Sequence, residues 1–191
     1  LDHEMGSVTP GKCADIVLLK DLSTMEVVHV LIDGETVAKD GKLTMKFPPY
    51  HYPVWATGSM HIRDEITPES FRIPAQGDKV QVRVMEVASG RVDNRETKAT
   101  LSVTDGELHS DPSQDVLKAV VFERHHETGK VGFGFVKGFQ IQNGAMASTV
   151  AHDAHNLLVI GTNDQDMALA ANTLIQSGGG MVVVQDGKVL G

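Results

Sequence analysis

The chain of 191 residues contains one cysteine, Cys13. A lone cysteine excludes an internal disulfide framework and every zinc pattern built on several cysteines, including the His-x-Glu with Pro-Cys-x-x-Cys arrangement of the small base deaminases. It fits a reducing compartment, and the expected location is cytoplasmic. Basic residues are scarce relative to acidic ones, 17 against 25, for a formal net charge of −8. Such a field repels phosphate backbones and anionic lipid, so neither nucleic acid nor a membrane is expected as a partner. No apolar run approaches the roughly 18 residues of a spanning helix, and no secretory signal is expected. Acyl-transfer chemistry of the Gly-x-Ser-x-Gly kind is missing as well. "ETGK" lacks the first glycine and the terminal hydroxyl residue of a P-loop. "GFGFVKG" sets its third glycine one position late for a dinucleotide fingerprint, and no helix pattern follows it.

What is present is an ordinary apolar content of 41%, enough for a core. The chain opens on Leu1 and passes almost at once into strand-like sequence, so an upstream part is expected. The first fifty residues read as short strands with hairpin turns at Asp33-Gly34 and Asp40-Gly41, since Asp-Gly accepts the positive φ angles of a type I′ turn. "KFPPYHYPVWATGSMH" carries Pro48, Pro49 and Pro53, which cannot donate to a strand ladder, and reads as a linker or covering loop. The expected division is 1–47, a linker over 48–55, and 56–191.

In the second part, "KVQVRVMEV" alternates Val80, Val82 and Val84 with Gln81, Arg83 and Met85, the two-residue period of a half-buried strand. "ETKATLSV" and "AVVFER" read as further strands, with "DGELHSDPSQD" as a polar loop between them. Phe133 and Phe135 could stack on a base, but a β core is the expected place for both. "LLVIGT" reads as an apolar strand leading into a helix, with Thr162 and Gln165 spaced as a capping box. Met167, Ala168, Ala171, Leu174 and Ile175 fall on one helical face, with Asp164 and Asp166 in the first turn. "SGGG" ends the helix, and "MVVVQDGKVL" reads as a closing hairpin about Asp186-Gly187. The expected fold class is α+β, mainly β, with a mixed sheet and one principal helix.

The densest polar cluster is "AHDAHN". His152 and His155 could converge across a turn, with Asp153 holding one imidazole in its tautomer. Two histidines and one carboxylate fall short of the three or four ligands of a zinc site, so a metal, a ligand contact and a hydrogen-bonded turn all remain open. His125-His126 reads as an exposed polar pair, because adjacent side chains on a strand point to opposite faces.

Two stretches resemble known sequences. "GSVTPGKCADIVLL" with "VVHVLIDGETVAKDGKL" is similar to the segment after the catalytic barrel of amidohydrolases, where the chain completes a small β domain. "GFGFVKGF", "GAMASTVAHDAHNLLVIGTNDQDMALAAN" and "GGGMVVVQDGKV" resemble the C-terminal domain of the adenine deaminase family. The resemblance implies a parent enzyme that hydrolyses adenine to hypoxanthine and ammonia with a metal-activated water in a (β/α)₈ barrel. It implies a divalent metal, manganese or iron, held by barrel residues outside these 191, so that no metal is expected on this chain and the chain alone is expected to be inactive. The partners it implies are adenine, the catalytic barrel of the same protein, and a second copy in a homo-oligomer. Within that frame, His152 and His155 are expected to orient substrate or relay protons, Asp153 to orient an imidazole, and Asn156 to bond a purine edge. The rival expectation is a structural module that caps the barrel and makes a subunit interface without touching substrate.

Overall fold

The computed structural model describes residues 2–88, 90 and 93–191. Two compact units emerge, Leu1–His51 and Tyr52–Gly191, divided inside the proline-bearing stretch.

In the first unit β1 (Ile16–Asp21), β2 (Glu26–Ile32), β3 (Glu35–Lys39) and β4 (Lys42–Leu43) form an antiparallel sheet in chain order. Both Asp-Gly pairs make the expected turns: φ is 49° and 81° at Asp33-Gly34, and 50° and 74° at Asp40-Gly41. Two successive left-handed residues give the twist that a two-residue hairpin needs. Among the described apolar side chains of this unit only Val37 is buried.

The second unit opens with the short helix α1 (Val54–Thr57), followed by a 3-10 turn over Pro68–Phe71. The strands are β5 (Lys79–Val87), β6 (Asn94–Thr104), β7 (Glu107–Leu108), β8 (Leu117–Phe122), β9 (Val131–Lys137), β10 (Ala145–Ser148), β11 (Leu157–Gly161), β12 (Met181–Gln185) and β13 (Lys188–Val189). They form a single sheet in the order β13-β12-β10-β11-β8-β9-β5-β6-β7. The β5–β9 pair is parallel and the other described pairs are antiparallel. The sheet is therefore mixed, and the chain is α+β and mainly β.

The principal helix, α2 (Asp164–Ser177), covers one face of the sheet over β10, β11 and β12. Its buried stripe includes Met167, Ala168, Ala171 and Leu174, packed with Val120, Phe122, Val159 and Val182. Phe71, fully buried, meets Phe122 edge-on at 5.5 Å. On the opposite face Leu117, Ala119, Val136 and Ile160 form a second apolar layer. β8 is consequently buried on both sides, which is why its sequence, LKAVVF, is apolar apart from Lys118 rather than a regular apolar–polar alternation.

Three local expectations change. Asn163, not Thr162, caps α2: its Oδ1 accepts from the Asp166 N–H at 2.8 Å. Thr162, the residue after β11, is tied to Gly144 instead, its N–H donating to the Gly144 carbonyl and its hydroxyl accepting from the Gly144 N–H. The polar stretch after β6 is not all loop, because Asp105-Gly106 turns β6 into β7 and buries Glu107 and Leu108. The two phenylalanines separate, Phe135 being 6% exposed and Phe133 49%. The strand β10, which lies between β11 and β12, carries no alternation or long apolar run that would announce it.

Candidate functional site

β8 sets up the site. Along a strand every second side chain shares a face, so Lys118, Val120 and Phe122 all point toward α2. Arg124, two residues further, keeps the parity and is also buried. One apolar face thus carries a cation at each end, and each cation organises a different piece of chain.

At the far end Arg124 reaches the turn 151–156. Its Nε donates to the His155 carbonyl, and its Nη1 donates to the Ser59 carbonyl at 2.6 Å and to the Ser59 hydroxyl at 2.9 Å. The turn closes on itself where the His155 N–H donates to the Ala151 carbonyl at 2.7 Å. His155 takes a left-handed φ of 49°, uncommon for a side chain of its size. Its Nδ1 lies 3.2 Å from the Thr149 carbonyl, and the His125 Nε2 lies 2.8 Å from the Ala154 carbonyl, each ring acting as donor. The Asn156 Oδ1 accepts from the Arg124 N–H at 3.4 Å.

The expected site residues therefore take separate tasks. His155 and Asn156 make hydrogen bonds that shape the turn. The side chains of His152 and Asp153 are 88% and 96% exposed and sit 3.6 Å apart at its tip. His125 does more than sit on the surface, since it anchors Ala154, whereas His126 is exposed. Between β8 and β9 the Glu123 carboxylate gathers the N–H groups of His125, His126 and Thr128 and the Thr128 hydroxyl. Burial opposes its charge, but these hydrogen bonds together prevail and pull its pKa down to about 2.

At the near end lies a cleft of about 380 Å³ lined in part by Arg72, Glu107, His109, Lys118 and Asp164. Lys118 is held by Asp164 and by the Phe71 carbonyl. Arg72 pairs with Glu107 through Nε and Nη2. That hydrogen bond holds the Glu107 carboxyl below its ordinary range. These charges answer one another within the fold.

Among the described residues no group of three or more His, Cys, Asp or Glu side chains is arranged to hold a metal ion. No described helix is long and apolar enough to cross a membrane.

Residues 92–191 match the family described as the adenine deaminase C-terminal domain. The chain belongs to that family. Adenine deaminase of Clostridium botulinum (strain Loch Maree / Type A3) is 66% identical over 192 residues, covering 100% of this chain. Adenine deaminase of Moorella thermoacetica is 47% identical over 190 residues and covers 98% of it. Adenine deaminase of Mesorhizobium japonicum is 41% identical over 193 residues and covers 100%. The chain spans 32% of the length of each of these relatives. Its similarity to adenine deaminases reaches beyond the matched domain into the four-stranded unit.

Lys118 and Arg124 escaped the reading of the sequence. The available signal was a lysine inside "LKAVVFER" with the parity of Val120 and Phe122, followed by an arginine of the same parity. The partners lie 46 residues away for Lys118 and 31 for Arg124, beyond the reach of local pattern.

Proposed function

We propose that the chain is the C-terminal part of an enzyme that hydrolyses adenine to hypoxanthine and ammonia, and that the turn 151–156 helps to close the purine pocket. The observation that carries the second claim is the contrast inside the turn. Its backbone carbonyls are tied down by His125, Arg124 and His155, while the side chains of His152 and Asp153 stand free of the fold. A rigid turn that presents a polar tip suits a surface meeting another body. A flexible turn would have to be ordered on contact, at an entropic cost.

In this reading the catalytic barrel lies in the remaining part of the protein and would hold a divalent metal, manganese or iron. The metal would supply an activated water. His152, with Asp153 beside it, would orient substrate or relay a proton. The isolated chain would be inactive, and the enzyme would work in the cytoplasm.

A second reading has its own support. Among the described residues Val17, Leu18, Val27 and Ile32 of the four-stranded sheet are all more than 40% exposed. A sheet with one buried apolar side chain needs a partner to be stable. This favours a module that caps the barrel or makes a subunit interface.

Ammonia release from adenine by the full-length protein separates the two. Replacing His152 and Asp153 by alanine should lower turnover at least about tenfold, with the oligomer intact by light scattering. Unchanged kinetics would reject the pocket role. Dissociation of the oligomer together with loss of activity would favour the assembly role.

A further inference from the structure

We infer that Arg124 is the positioning residue of the 151–156 turn, acting on the reaction through His152 and Asp153 rather than by touching substrate. The inference rests on the pocket reading above and adds to it the residue that sets the tip in place.

Arg124 is 8% exposed. Among the described residues no carboxylate lies within salt-bridge distance of its guanidinium, whose acceptors are the carbonyls of His155 and Ser59, the Ser59 hydroxyl and, at 3.8 Å, the Met60 Sδ. A buried cation without a counter-charge gives little net stability, and an apolar side chain of similar volume would fill the same space with less desolvation. What an apolar side chain cannot do is hold two chain segments at fixed separation. The planar guanidinium does so with donors in a rigid fork. Its backbone completes the clasp, because the Arg124 carbonyl accepts from the His61 N–H at 2.8 Å and its N–H donates to Asn156. Segment 59–61, the end of β8 and the turn 151–156 therefore meet on one residue.

The point of attachment matters as much as its strength. Arg124 grips the carbonyl of His155, the residue with the left-handed backbone that closes the turn. Releasing that carbonyl frees His155 to leave a disfavoured conformation, and His152 and Asp153 move with it. Lysine would reach one of the two attachment points but not both, so a conservative change should keep only part of the effect.

The test is a mutant cycle in the full-length protein, read by ammonia release. Four variants are needed: R124K, R124Q, H152A/D153A and the triple change with R124Q. Thermal denaturation confirms that each is folded. The expected result is that R124Q lowers turnover by a factor similar to H152A/D153A and on the same parameter, kcat or KM. R124K should fall between R124Q and the parent. The triple variant should be no more than about twofold worse than H152A/D153A, because residues acting as one unit are not additive. Losses that multiply in the triple variant, or R124Q kinetics matching the parent, would overturn the inference. Unchanged kinetics in H152A/D153A would instead remove the pocket reading. Hydrogen exchange at the His155 amide then decides for Arg124 alone. Exchange about tenfold faster in R124Q, with the β11 amides unaffected, supports positioning. An unchanged rate refutes it.

Discussion

The Lys118 ammonium lies 2.6 Å and 2.9 Å from the two carboxylate oxygens of Asp164 and 3.0 Å from the Phe71 carbonyl. At 1% exposure it has no water to fall back on, and three acceptors match its three donors. A central strand, the first turn of α2 and the 3-10 turn 68–71 are joined at this nitrogen. Asp164 therefore does more than favour the helix dipole, the role its position in the first turn suggests.

Removing Asp164 leaves the Lys118 ammonium buried and uncompensated, which typically costs about 3–5 kcal/mol. Removing Lys118 costs less, because the Asp164 side chain is 17% exposed and keeps some hydration. Lys118→Met and Asp164→Asn should each shift the urea midpoint of the 191-residue chain by a corresponding amount. The double change K118M/D164N should cost less than the sum of the single changes, since no unpaired charge remains. Additive losses in the cycle would mean that the pair is not coupled.

Glu123 makes a prediction in pH. Its carboxyl is pulled from an ordinary 4.5 to about 2. Because the folded state lowers this pKa, the stability it brings is complete above the unfolded value. It fades as the pH falls from about 4.5 toward 2, as the folded carboxylate takes up its proton. Glu123→Gln should thus be less stable than the parent near neutrality, with the gap closing as acid is added through that window. Denaturant midpoints measured across it would show the convergence, and a gap independent of pH would contradict it.

Much of this architecture is written locally. Asp33-Gly34, Asp40-Gly41 and Asp186-Gly187 place turns because few other pairs accept two successive positive φ angles. Met167, Ala171 and Leu174 mark the buried stripe of α2 by spacing alone. The strand β10 is different, because "GAMAST" is small, short and unpatterned, and becomes a strand only through the neighbours that pair with both its edges. The capping expectation failed by one residue for a related reason: Thr162 and Asn163 both have capping chemistry, and the pairing of Thr162 with Gly144 decided between them. The candidate site was legible as a polar cluster but not as a geometry. Whether His155 faces outward with His152 or inward to Thr149 depends on one left-handed φ and on Arg124, neither of which has a local sequence signature.

Gly161 shows how tightly the helix is registered on the sheet. It ends β11, and a Cβ added there would lie 2.5 Å from Met167 Cγ, 2.8 Å from the Ala145 Cβ and 3.1 Å from the Gly144 carbonyl oxygen. Space, not backbone angle, requires the glycine. Gly161→Ala should destabilise the chain by about 1–3 kcal/mol, the usual cost of overpacking. Shortening Met167 to alanine removes the nearest clash but opens a cavity, so G161A/M167A should cost less than the two changes summed. Full rescue is not expected, because the Ala145 methyl and the Gly144 oxygen stay in place. Since α2 carries Asp164 to Lys118, a helix displaced by the added methyl should also weaken that pair. G161A should therefore reduce the further loss caused by D164N, which a urea cycle on the four chains would measure. Equal D164N losses in both backgrounds would show that the sheet holds the lysine and its partner together independently of this contact.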